Sequence, residues 1–441
     1  AAANFIVAPV LTGLVVSPGV STLTAGVPQQ FTVRGVDQFG QPMTLPDVTW
    51  SVDGSGTVSP TGRYTPAAAG TATIRARAGD LDATAAVTVR ASSSPPPVDV
   101  PVSPIAGTFD GIAVGTGSGV PAVRIVDPAT STVTHSITSL DAAFAGGVRV
   151  ATADVTGDGV LDLIAASGPG ATAVVVVFDG VTGKAIARIT PFESTFTGGA
   201  FVAAGDVDGD GFADVVVSPD RGGGPVVALY SGRNLARGSV VEVDRFMGIR
   251  DDAFRGGARV AIGDVDGDGF AEIIVAAGID GGPRVSVWSG AAIAAGEPAA
   301  GPVLDFFAFE ASLRNGAYVA AGDVNGNGFA DLIVGGGPGG GPRVRVVDGG
   351  RLWGATGLSD LDDRQDLSLG NFFAGDDADR TGVRVAARDI DADGRADILT
   401  GSGEGSMVMA FPGRSRSGTQ TPAPTLAFEP FDALIGGVFV G

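Results

Sequence analysis

Five short segments in the second half of the chain carry oxygen-bearing side chains at the same spacing. Each begins with Asp and places Asp, Asn, Thr or Glu at positions three, five and nine, with Gly at position six. Such a loop wraps a hard cation in six or seven oxygens, position seven lending its backbone carbonyl. Five copies in register predict about five Ca²⁺ sites. The predicted ligand residues are Asp154, Thr156, Asp158, Val160, Asp162, Asp206, Asp208, Asp210, Phe212, Asp214, Asp264, Asp266, Asp268, Phe270, Glu272, Asp323, Asn325, Asn327, Phe329, Asp331, Asp389, Asp391, Asp393, Arg395 and Asp397.

These loops are not EF-hands. An EF-hand has a Glu at position twelve followed by a helix. Position twelve is instead Ala165, Val217, Val275, Val334 or Thr400, inside β-branched runs. The loops are therefore expected to join two strands.

The five loops differ in charge, and affinity follows the charge of the ligands. Those starting at Asp206, Asp264 and Asp389 contain four acidic residues each, that at Asp154 has three, and that at Asp323 has two. We expect the Asp323 site to be the weakest. Ala392 and Arg395 depart from the pattern of the other loops, and neither removes a ligand. A structural role is favoured over a signalling one, since no switchable helix pair is indicated nearby.

Composition points to a β-rich protein that is not a nucleic-acid partner. The 441 residues include 71 Gly, 27 Pro and no Cys, which favours many short strands and excludes disulfides and thiolate metal sites. The formal charge of −20 disfavours nucleic acid and anionic membranes. No long apolar run predicts membrane insertion. The first residues lack a signal-peptide pattern and are interpreted as a mature end, so secretion is expected from the calcium loops and the composition.

The N-terminal part differs from the rest. Alternating strands such as 30–36 and 48–52, separated by turns, predict a β-sandwich over residues 1–90. The segments Gln29-Gln-Phe-Thr, Val48-Thr-Trp-Ser-Val and Gly70-Thr-Ala-Thr-Ile resemble bacterial immunoglobulin-like domains. A Ser- and Pro-rich stretch, 91–104, is predicted to be an extended linker.

From residue 105 to 441 the chain is a repeat array. The ion loops begin 52 to 66 residues apart, a period in the range of propeller blades, and four strands are expected in each unit. The Asp-rich loop followed by a Gly-Gly-Pro turn resembles the FG-GAP or VCBS repeats of integrin α-chain propellers and of many bacterial secreted proteins. The resemblance implies a calcium-bearing β-propeller, with each ion loop between the first and second strands of a blade.

The two ends of the repeat array are expected to form a sixth blade. The C-terminal 436–441 matches a first strand, and 110–117 matches a second strand with Asp110 at loop position nine. The sequence thus predicts an all-β protein: an immunoglobulin-like sandwich plus a six-bladed propeller closed by pairing of its N- and C-terminal strands. The closing blade has no ion loop.

A second pattern lies five residues before each loop. Basic and aromatic residues alternate at these positions, and the closing blade adds one more aromatic: Arg149, Phe201, Arg259, Tyr318, Arg384 and Phe439. These six residues are called the channel ring. If they face the central channel, each Arg can stack on its neighbours, with cation–π pairs worth about 0.5–2 kcal/mol. Two interpretations of the channel ring stay open: a plug of stacked side chains that fills the channel, and a pocket that binds an anion or a sugar.

Little in the sequence favours catalysis. The single His135 is outside every loop, the usual nucleophile and base pairings are absent, and the Gly-Gly-Pro turns lack the Lys-Ser/Thr of a P-loop. We expect a non-catalytic, secreted or cell-surface calcium-binding protein for adhesion, matrix association or assembly, with a protein or glycan ligand on a propeller face.

Three alternatives stay open. The first is a calcium-dependent polysaccharide lyase, whose base would come from Lys184, Tyr64, Tyr230 or Tyr318. The second is a lectin that stacks sugars on exposed Trp288 and Trp353. The third is self-assembly through the apolar N-terminal strand 4–11, which could pair within its own domain or with a neighbour.

Overall fold

A computed structural model describes residues 8–24, 28–90, 109–138, 140, 144–296, 301–355, 357–413, 422–432 and 436–441. The chain divides into two compact units, Ala1–Ser94 with Val241–Asp244, and Pro95–Val240 with Arg245–Gly441. The predicted linker 91–104 and residues 4–7 of the predicted assembly strand lie outside the described residues. None of the helices in the described part of the chain has the length and apolar character needed to cross a membrane.

The described residues of the N-terminal unit form ten short strands. In chain order they are Leu11–Ser17 (β1), Val20–Thr24 (β2), Gln29–Gln30 (β3), Thr32–Asp37 (β4), Pro42–Met43 (β5), Thr49–Asp53 (β6), Thr57–Val58 (β7), Arg63–Thr65 (β8), Gly70–Ala78 (β9) and Leu81–Arg90 (β10). They pair as three sheets, in the orders β1-β4-β5, β2-β10-β9-β6 and β3-β8-β7.

Alternation along the longest hairpin builds the core of this unit. In β9 the residues Ala72, Ile74 and Ala76 are buried, whereas Arg75 is exposed, which is the period of two that a half-buried strand requires. They pack with the fully buried Phe31. β1 pairs antiparallel with β4 of the same unit. The immunoglobulin-like resemblance stays a prediction.

The remaining 24 strands of the described residues lie in the second unit, apart from residues 242–244, the start of one strand, which are grouped with the first unit. The first eleven are Ile112–Thr116 (β11), Ala122–Asp127 (β12), Thr132–Thr138 (β13), Val148–Ala153 (β14), Asp162–Ser167 (β15), Val175–Phe178 (β16), Ala185–Ile189 (β17), Ala200–Gly205 (β18), Asp214–Pro219 (β19), Val226–Tyr230 (β20) and Glu242–Met247 (β21). The others are Ala258–Gly263 (β22), Glu272–Ala277 (β23), Arg284–Trp288 (β24), Leu304–Phe307 (β25), Ala317–Gly322 (β26), Asp331–Gly336 (β27), Arg343–Val347 (β28), Ser368–Phe373 (β29), Val383–Arg388 (β30), Asp397–Ser402 (β31), Val408–Phe411 (β32), Leu426–Phe428 (β33) and Val438–Val440 (β34).

These strands form six four-stranded sheets, which confirms the all-β fold and the propeller blades. Five sheets follow chain order, from β14-β15-β16-β17 to β30-β31-β32-β33, and the sixth is β13-β12-β11-β34. Each is an open sheet, and no sheet of the described strands closes on itself. The first strands of successive sheets are in contact, and β34 contacts both β14 and β30.

The sixth sheet joins the two ends of the repeat array. β11 pairs antiparallel with β34, with Gly115 opposite Phe439. In the other sheets the residue opposite a ring position is the fourth after loop position nine, as Ser218 is after Asp214. Gly111, not Asp110, therefore occupies position nine, and the expected alignment of Asp110 was wrong by one residue. Asp110 instead forms an ion pair with Arg388 at 3.2 Å.

Apolar second strands fill the space between neighbouring sheets. Every residue of β15, β19 and β23 is buried. One cluster joins Ile164 and Val177 of one sheet to Val215 and Val217 of the next. Three short helices follow third strands: Gly232–Leu235 (α1), Gly290–Ala294 (α2) and Gly349–Trp353 (α3), with a 3₁₀ turn at Gln365–Leu367 (η1). Pairing between the first and second strands of each sheet fixes both ends of every ion loop.

Candidate metal centres and the channel ring

The five ion loops, residues 154–162, 206–214, 264–272, 323–331 and 389–397, connect the first and second strands of their sheets. The register Gly205↔Asp214 brings the two ends of one loop together. Position four has positive φ in every loop: it is Gly in four of them and Ala392, at φ 59°, in the fifth. An L-residue in that left-handed conformation costs roughly 1–2 kcal/mol.

The backbone holds the carboxylate at position one. In the second loop Asp206 Oδ1 accepts a hydrogen bond from the Asp210 amide at 3.0 Å, and Oδ2 accepts one from Gly211 at 2.9 Å. The equivalent pair recurs at positions five and six of the other four loops. Each oxygen keeps a second lone pair for a cation.

The carboxylate at position nine ties its loop to a later part of the sheet. Asp214 is buried and accepts hydrogen bonds from the amides of Val207, inside the loop, and Gly232, at the start of α1, at 3.2 and 2.8 Å. The same link to a glycine after the third strand recurs in the other loops, at Gly180, Gly290, Gly349 and Gly413.

These linking glycines were missed in the sequence, although a signal was present. Each follows Asp, Ser or Pro directly after the third strand. A Cβ added at Gly232 would lie 2.2 Å from the Ala213 carbonyl oxygen, and one at Gly349 would lie 2.0 Å from that of Ala330. Only glycine allows the backbone to approach the position-nine carboxylate this closely.

Burial perturbs the position-nine acids. It raises the pKa of Asp162 to about 6 and those of Asp214, Glu272 and Asp331 to about 7, although backbone hydrogen bonds partly offset the rise. The pKa of Asp397 is also raised by burial. Nearby carboxylates add to the effect, as Asp208 and Asp210 do for Asp214. The loops thus hold acidic groups where anionic charge is unfavourable without a cation.

Three loops bring carboxylate oxygens close enough to share one metal ion. Among the described residues, groups with ligand atoms all within 4.8 Å of one another are Asp206, Asp208 and Asp210; Asp264, Asp266 and Glu272; and Asp389, Asp391 and Asp397. Hard carboxylate oxygens at this spacing fit a hard divalent cation. These are the three loops with four acidic residues each.

Neighbouring ion loops are linked to one another. The Ala271 amide at position eight donates to the Asp206 carbonyl of the preceding loop at 3.0 Å, and the same bond joins each later loop to the one before it. The position-seven side chain covers position four of that preceding loop: a Cβ at Gly209 would lie 3.1 Å from the Phe270 ring. The other position-seven side chains that follow an ion loop cover position four of that loop in the same way: Phe212, Phe329 and Arg395. The side chain at position seven thus packs between neighbouring loops, whereas the sequence predicted only a carbonyl ligand at this position.

The structure brings the six residues of the channel ring together. The centroids of the Phe201, Tyr318 and Phe439 rings are 5.8 to 6.3 Å apart. Each guanidinium lies over two of these rings, the shortest centroid distances being 4.7 Å for Arg149, 3.9 Å for Arg259 and 4.9 Å for Arg384.

Among the residues that the structure describes, one carboxylate contacts the channel ring. Asp220, which sequence reasoning missed, bonds Arg149 Nη2 at 2.7 Å. Burial lowers the pKa of Arg149. Burial also tends to raise the pKa of Tyr318, but the charges of Arg259 and Arg384 outweigh it, so the net shift is downward. The ring is therefore a buried region of positive potential.

Other candidate residues lie elsewhere. Trp288 is 4% exposed and donates its indole N–H to the Gly248 carbonyl, so the expectation that it is an exposed sugar platform was wrong. Trp353 is partly buried against a core cluster. Tyr64 and Tyr230 are buried in separate cores. His135 lies on β13, edge-on to Phe109.

A cleft of about 630 Å³ lies at the Gly-Gly-Pro turns, at the opposite ends of the strands from the ion loops. Its lining includes Phe309, Phe373, Arg314, Arg343 and Arg380. The Arg343 guanidinium lies 5.1 Å from the centroid of Phe309. Sequence reasoning did not find this cleft, because its residues come from one sheet and from turns and connections up to about 100 residues apart in the chain.

Part of the repeat array, within residues 154–275, matches a known family of repeats. A family model described as "FG-GAP-like repeat" matches residues 154–217 and 206–275, so the chain contains FG-GAP-like repeats, as predicted. Both matched segments begin at the first Asp of an ion loop and end within the second strand of the next sheet.

Solved structures share only distant similarity. An S-layer protein SbsC fragment, domains 4 and 5, is 23% identical over 19% of this chain, with a TM-score of 0.17, and this chain spans 53% of it. The rhamnogalacturonan lyase YesW is 12% identical, with a TM-score of 0.35, over 92% of this chain and 67% of the lyase. The Dos1 propeller is 10% identical, with a TM-score of 0.38, over 92% of this chain and 84% of its own. The six sheets themselves define the fold.

Proposed function

We propose that the chain is a secreted or cell-surface calcium-binding propeller that acts without catalysis in adhesion, matrix association or assembly. Ca²⁺ bound by the ion loops would rigidify the blades, and a protein or glycan ligand would bind a propeller face. Extracellular calcium modules work at dissociation constants near 10⁻⁴–10⁻³ M, which exposed loops of this kind can supply.

The grouping of carboxylates in the ion loops carries this proposal. Three acidic groups lie within 4.8 Å of one another in each of three loops. Two like charges about 4 Å apart repel by about 4 kcal/mol at the effective dielectric of a protein surface. A hard divalent cation relieves that repulsion, and the hydrogen-bonded backbone already orients the ligands around it.

The links from each loop support a structural role for the ion. Asp214 connects its loop to Gly232, and the Ala271 amide connects the next loop to Asp206. An ion held by these carboxylates would stabilise the contact between adjacent blades. One site at a hundredfold excess over its dissociation constant contributes about 2.7 kcal/mol, so several filled sites rival a domain's net stability.

Thermal unfolding of chelator-treated protein tests the proposal. Protein dialysed against EDTA is expected to unfold well below the calcium-loaded form, and elemental analysis of the loaded form is expected to find calcium at several equivalents per chain. Magnesium at the same concentration is the control, since it demands octahedral geometry and retains water. Equal unfolding temperatures with and without calcium would overturn the proposal.

The cleft at the Gly-Gly-Pro turns is our candidate for the ligand surface. Aromatic and guanidinium groups together suit a glycan that carries carboxylates: Phe373 is 37% exposed, and the exposed Arg314 and Arg380 line the same cleft. Asp280 and Asp377 also line the cleft, and Arg343 is paired with Glu310 at 3.1 Å, so Arg314 and Arg380 would carry the recognition. A glycan array including uronic polysaccharides, read with wild type and Phe373→Ala, tests this. Phe39→Ala, which removes a 61% exposed Phe of the other unit, is the matched control. Equal glycan binding by both variants would exclude the cleft.

A further inference from the structure

The channel ring is unbalanced in charge. It contains three guanidinium groups, and Asp220 is bonded to only one of them, Arg149. Arg259 is 5% exposed, and its Nε and Nη1 have no hydrogen-bond partner. The Nε of Arg384 also has none, while its Nη1 donates to the Ser402 carbonyl at 2.5 Å.

Stacking alone offsets this imbalance incompletely. A buried charge is strongly unfavourable unless it is paired and hydrogen-bonded. Cation–π contacts contribute about 0.5–2 kcal/mol each and accept no N–H bond along the plane of the guanidinium. Arg259 stacks at 3.9 Å on Tyr318, and its Nε and Nη1 are buried without a hydrogen-bond partner.

A cavity of about 150 Å³ opens directly on the channel ring. The six ring side chains line it together with the residues that follow them on the first strands. Those include the small residues Ala151, Ala203, Ala261, Ala320, Ala386 and Gly441. The cavity is large enough for a group of a few heavy atoms, and the ring gives it positive potential.

We propose that this cavity binds a small oxyanion, held by Arg259 and Arg384 on the channel axis. The planar guanidinium fork matches the oxygens of a carboxylate or a sulfate. The oxyanion could be a free small anion or the acidic group of a sugar. This site is separate from the ion loops and does not depend on the proposed calcium function.

Titration calorimetry on the full-length, calcium-loaded protein tests the proposal, at constant ionic strength in chloride. Sodium sulfate, sodium acetate and sodium galacturonate are the probes, and glucose is the neutral control. Saturable binding of at least one anion, without binding of glucose, is expected. Sulfate or acetate alone would indicate a free anion, whereas galacturonate binding in preference to acetate would indicate an acidic sugar.

Variants of the ring separate binding from mere packing. Arg259→Gln and Arg384→Gln are each expected to weaken the anion about tenfold, as loss of a charge-assisted hydrogen bond does. Arg351→Gln, whose side chain is 68% exposed on α3, is the matched control and is expected to bind as wild type does. Unchanged affinity in both ring variants, or no saturable anion binding by wild type, would refute the proposal.

A third variant moves affinity the other way. Asp220→Asn removes the ring's carboxylate while leaving Arg149 a hydrogen-bond acceptor, so the anion is expected to bind several-fold more tightly. A purely structural ring predicts no gain. The anion affinity of Asp220→Asn also tests the proposal if Arg259→Gln fails to fold, because weaker or unchanged binding by Asp220→Asn would contradict the proposed site.

Discussion

The ion loops and the channel ring are carried by the same first strands, yet they collect opposite charges. The ring residue Phe201 and the loop residue Asp206 are five positions apart on one strand and its loop. The loops gather carboxylates that are part-exposed except for the buried acid at position nine, and backbone amides bind most of them. The ring gathers guanidinium groups in a buried place, and aromatic faces cover them. The part-exposed carboxylates of the loops can therefore take up a cation from solvent, whereas the aromatic rings offset only part of the buried charge of the guanidinium groups.

The pH dependence of stability would sharpen this comparison most. Burial raises the folded-state pKa of Asp214, Glu272 and Asp331 to about 7, above the unfolded values near 4. The folded state then binds more protons between about pH 4 and 7, so the stability of calcium-free protein falls as pH rises through that window. Each tenfold difference in proton affinity between the folded and unfolded states corresponds to about 1.4 kcal/mol.

Calcium should reverse that pH dependence, since it binds the ionised carboxylates and affinity falls as they protonate below pH 7. Urea unfolding at pH 5.5 and pH 8 measures both effects, with protein freed of calcium on a chelating resin and with the same protein reloaded with calcium. Asp214→Asn is expected to flatten the calcium-free profile. An unchanged profile in that variant would assign the pH dependence to the general charge of the chain.

Gly232→Ala would break the tie between loop and sheet. The new Cβ would lie 2.2 Å from the Ala213 carbonyl oxygen, so the hydrogen bond from this amide to Asp214 must lengthen. We expect a loss of about 3 kcal/mol in unfolding free energy, as for overpacking at a tight contact. Gly354→Ala, with its nearest neighbour at 3.8 Å, is the control and should be near neutral. Equal stability of the two variants in urea would show that the tie is dispensable.

Charge exchange between two loops would test whether ligand charge sets affinity. Asp208→Asn removes one acid from a four-acid loop, and Asn325→Asp adds one to the two-acid loop. We expect calcium binding to weaken about tenfold in the first variant and to tighten in the second, since affinity follows ligand charge. Calorimetric titration of each variant against wild type gives the two changes in affinity. A tighter Asp208→Asn site would mean that repulsion between carboxylates dominates over their attraction for the ion.

Much of the propeller, but less of the closing blade, could be predicted from the sequence. The ion loops repeat at Asp154, Asp206 and three later positions, and each leads into an apolar second strand, so loop placement needs only local pattern. Asp110 was placed one residue out of register because that blade has no ion loop to fix position nine. In that blade, the residue at position nine is determined by the pairing of β11 with β34.

Contacts between distant segments account for what the sequence did not reveal. Asp220 reaches Arg149 across 71 residues, and Gly232 reaches Asp214 across 18 residues that include two strands. Trp288 is a residue type that often stacks on sugars, but its indole N–H donates to the carbonyl of Gly248, 40 residues earlier in the chain. In each case the residue type is visible in the sequence, but its contact partner is determined by how the strands pack.

Phe270→Ala would show whether neighbouring ion loops depend on one another. The Phe270 ring covers Gly209 of the preceding loop, so its removal should weaken calcium at the Asp206 loop more than at its own. A loss of about threefold is expected, because the backbone bond from Ala271 to Asp206 remains. Terbium luminescence of Phe270→Ala, compared with Val160→Ala in the first loop as control, reports the site affinities. An effect confined to the Asp264 loop would indicate independent sites.

Ala392→Gly is expected to have the smallest effect, and it acts on the one ion loop with a residue other than glycine at position four. Ala392 has φ 59°, while its counterparts Gly209 and Gly267 have φ 70° and 75°. Glycine adopts this conformation without the clash of Cβ against the carbonyl, but it loses more entropy on folding. The strain exceeds the entropy term, so a net gain of about 0.5–1 kcal/mol is expected in chelator. The gain should persist in calcium, because the Asp389 carboxylate bonds the amides of Asp393 and Gly394 and does not involve position four. Urea unfolding in both conditions measures it, and a loss of stability in either would show that Ala392 is accommodated without strain.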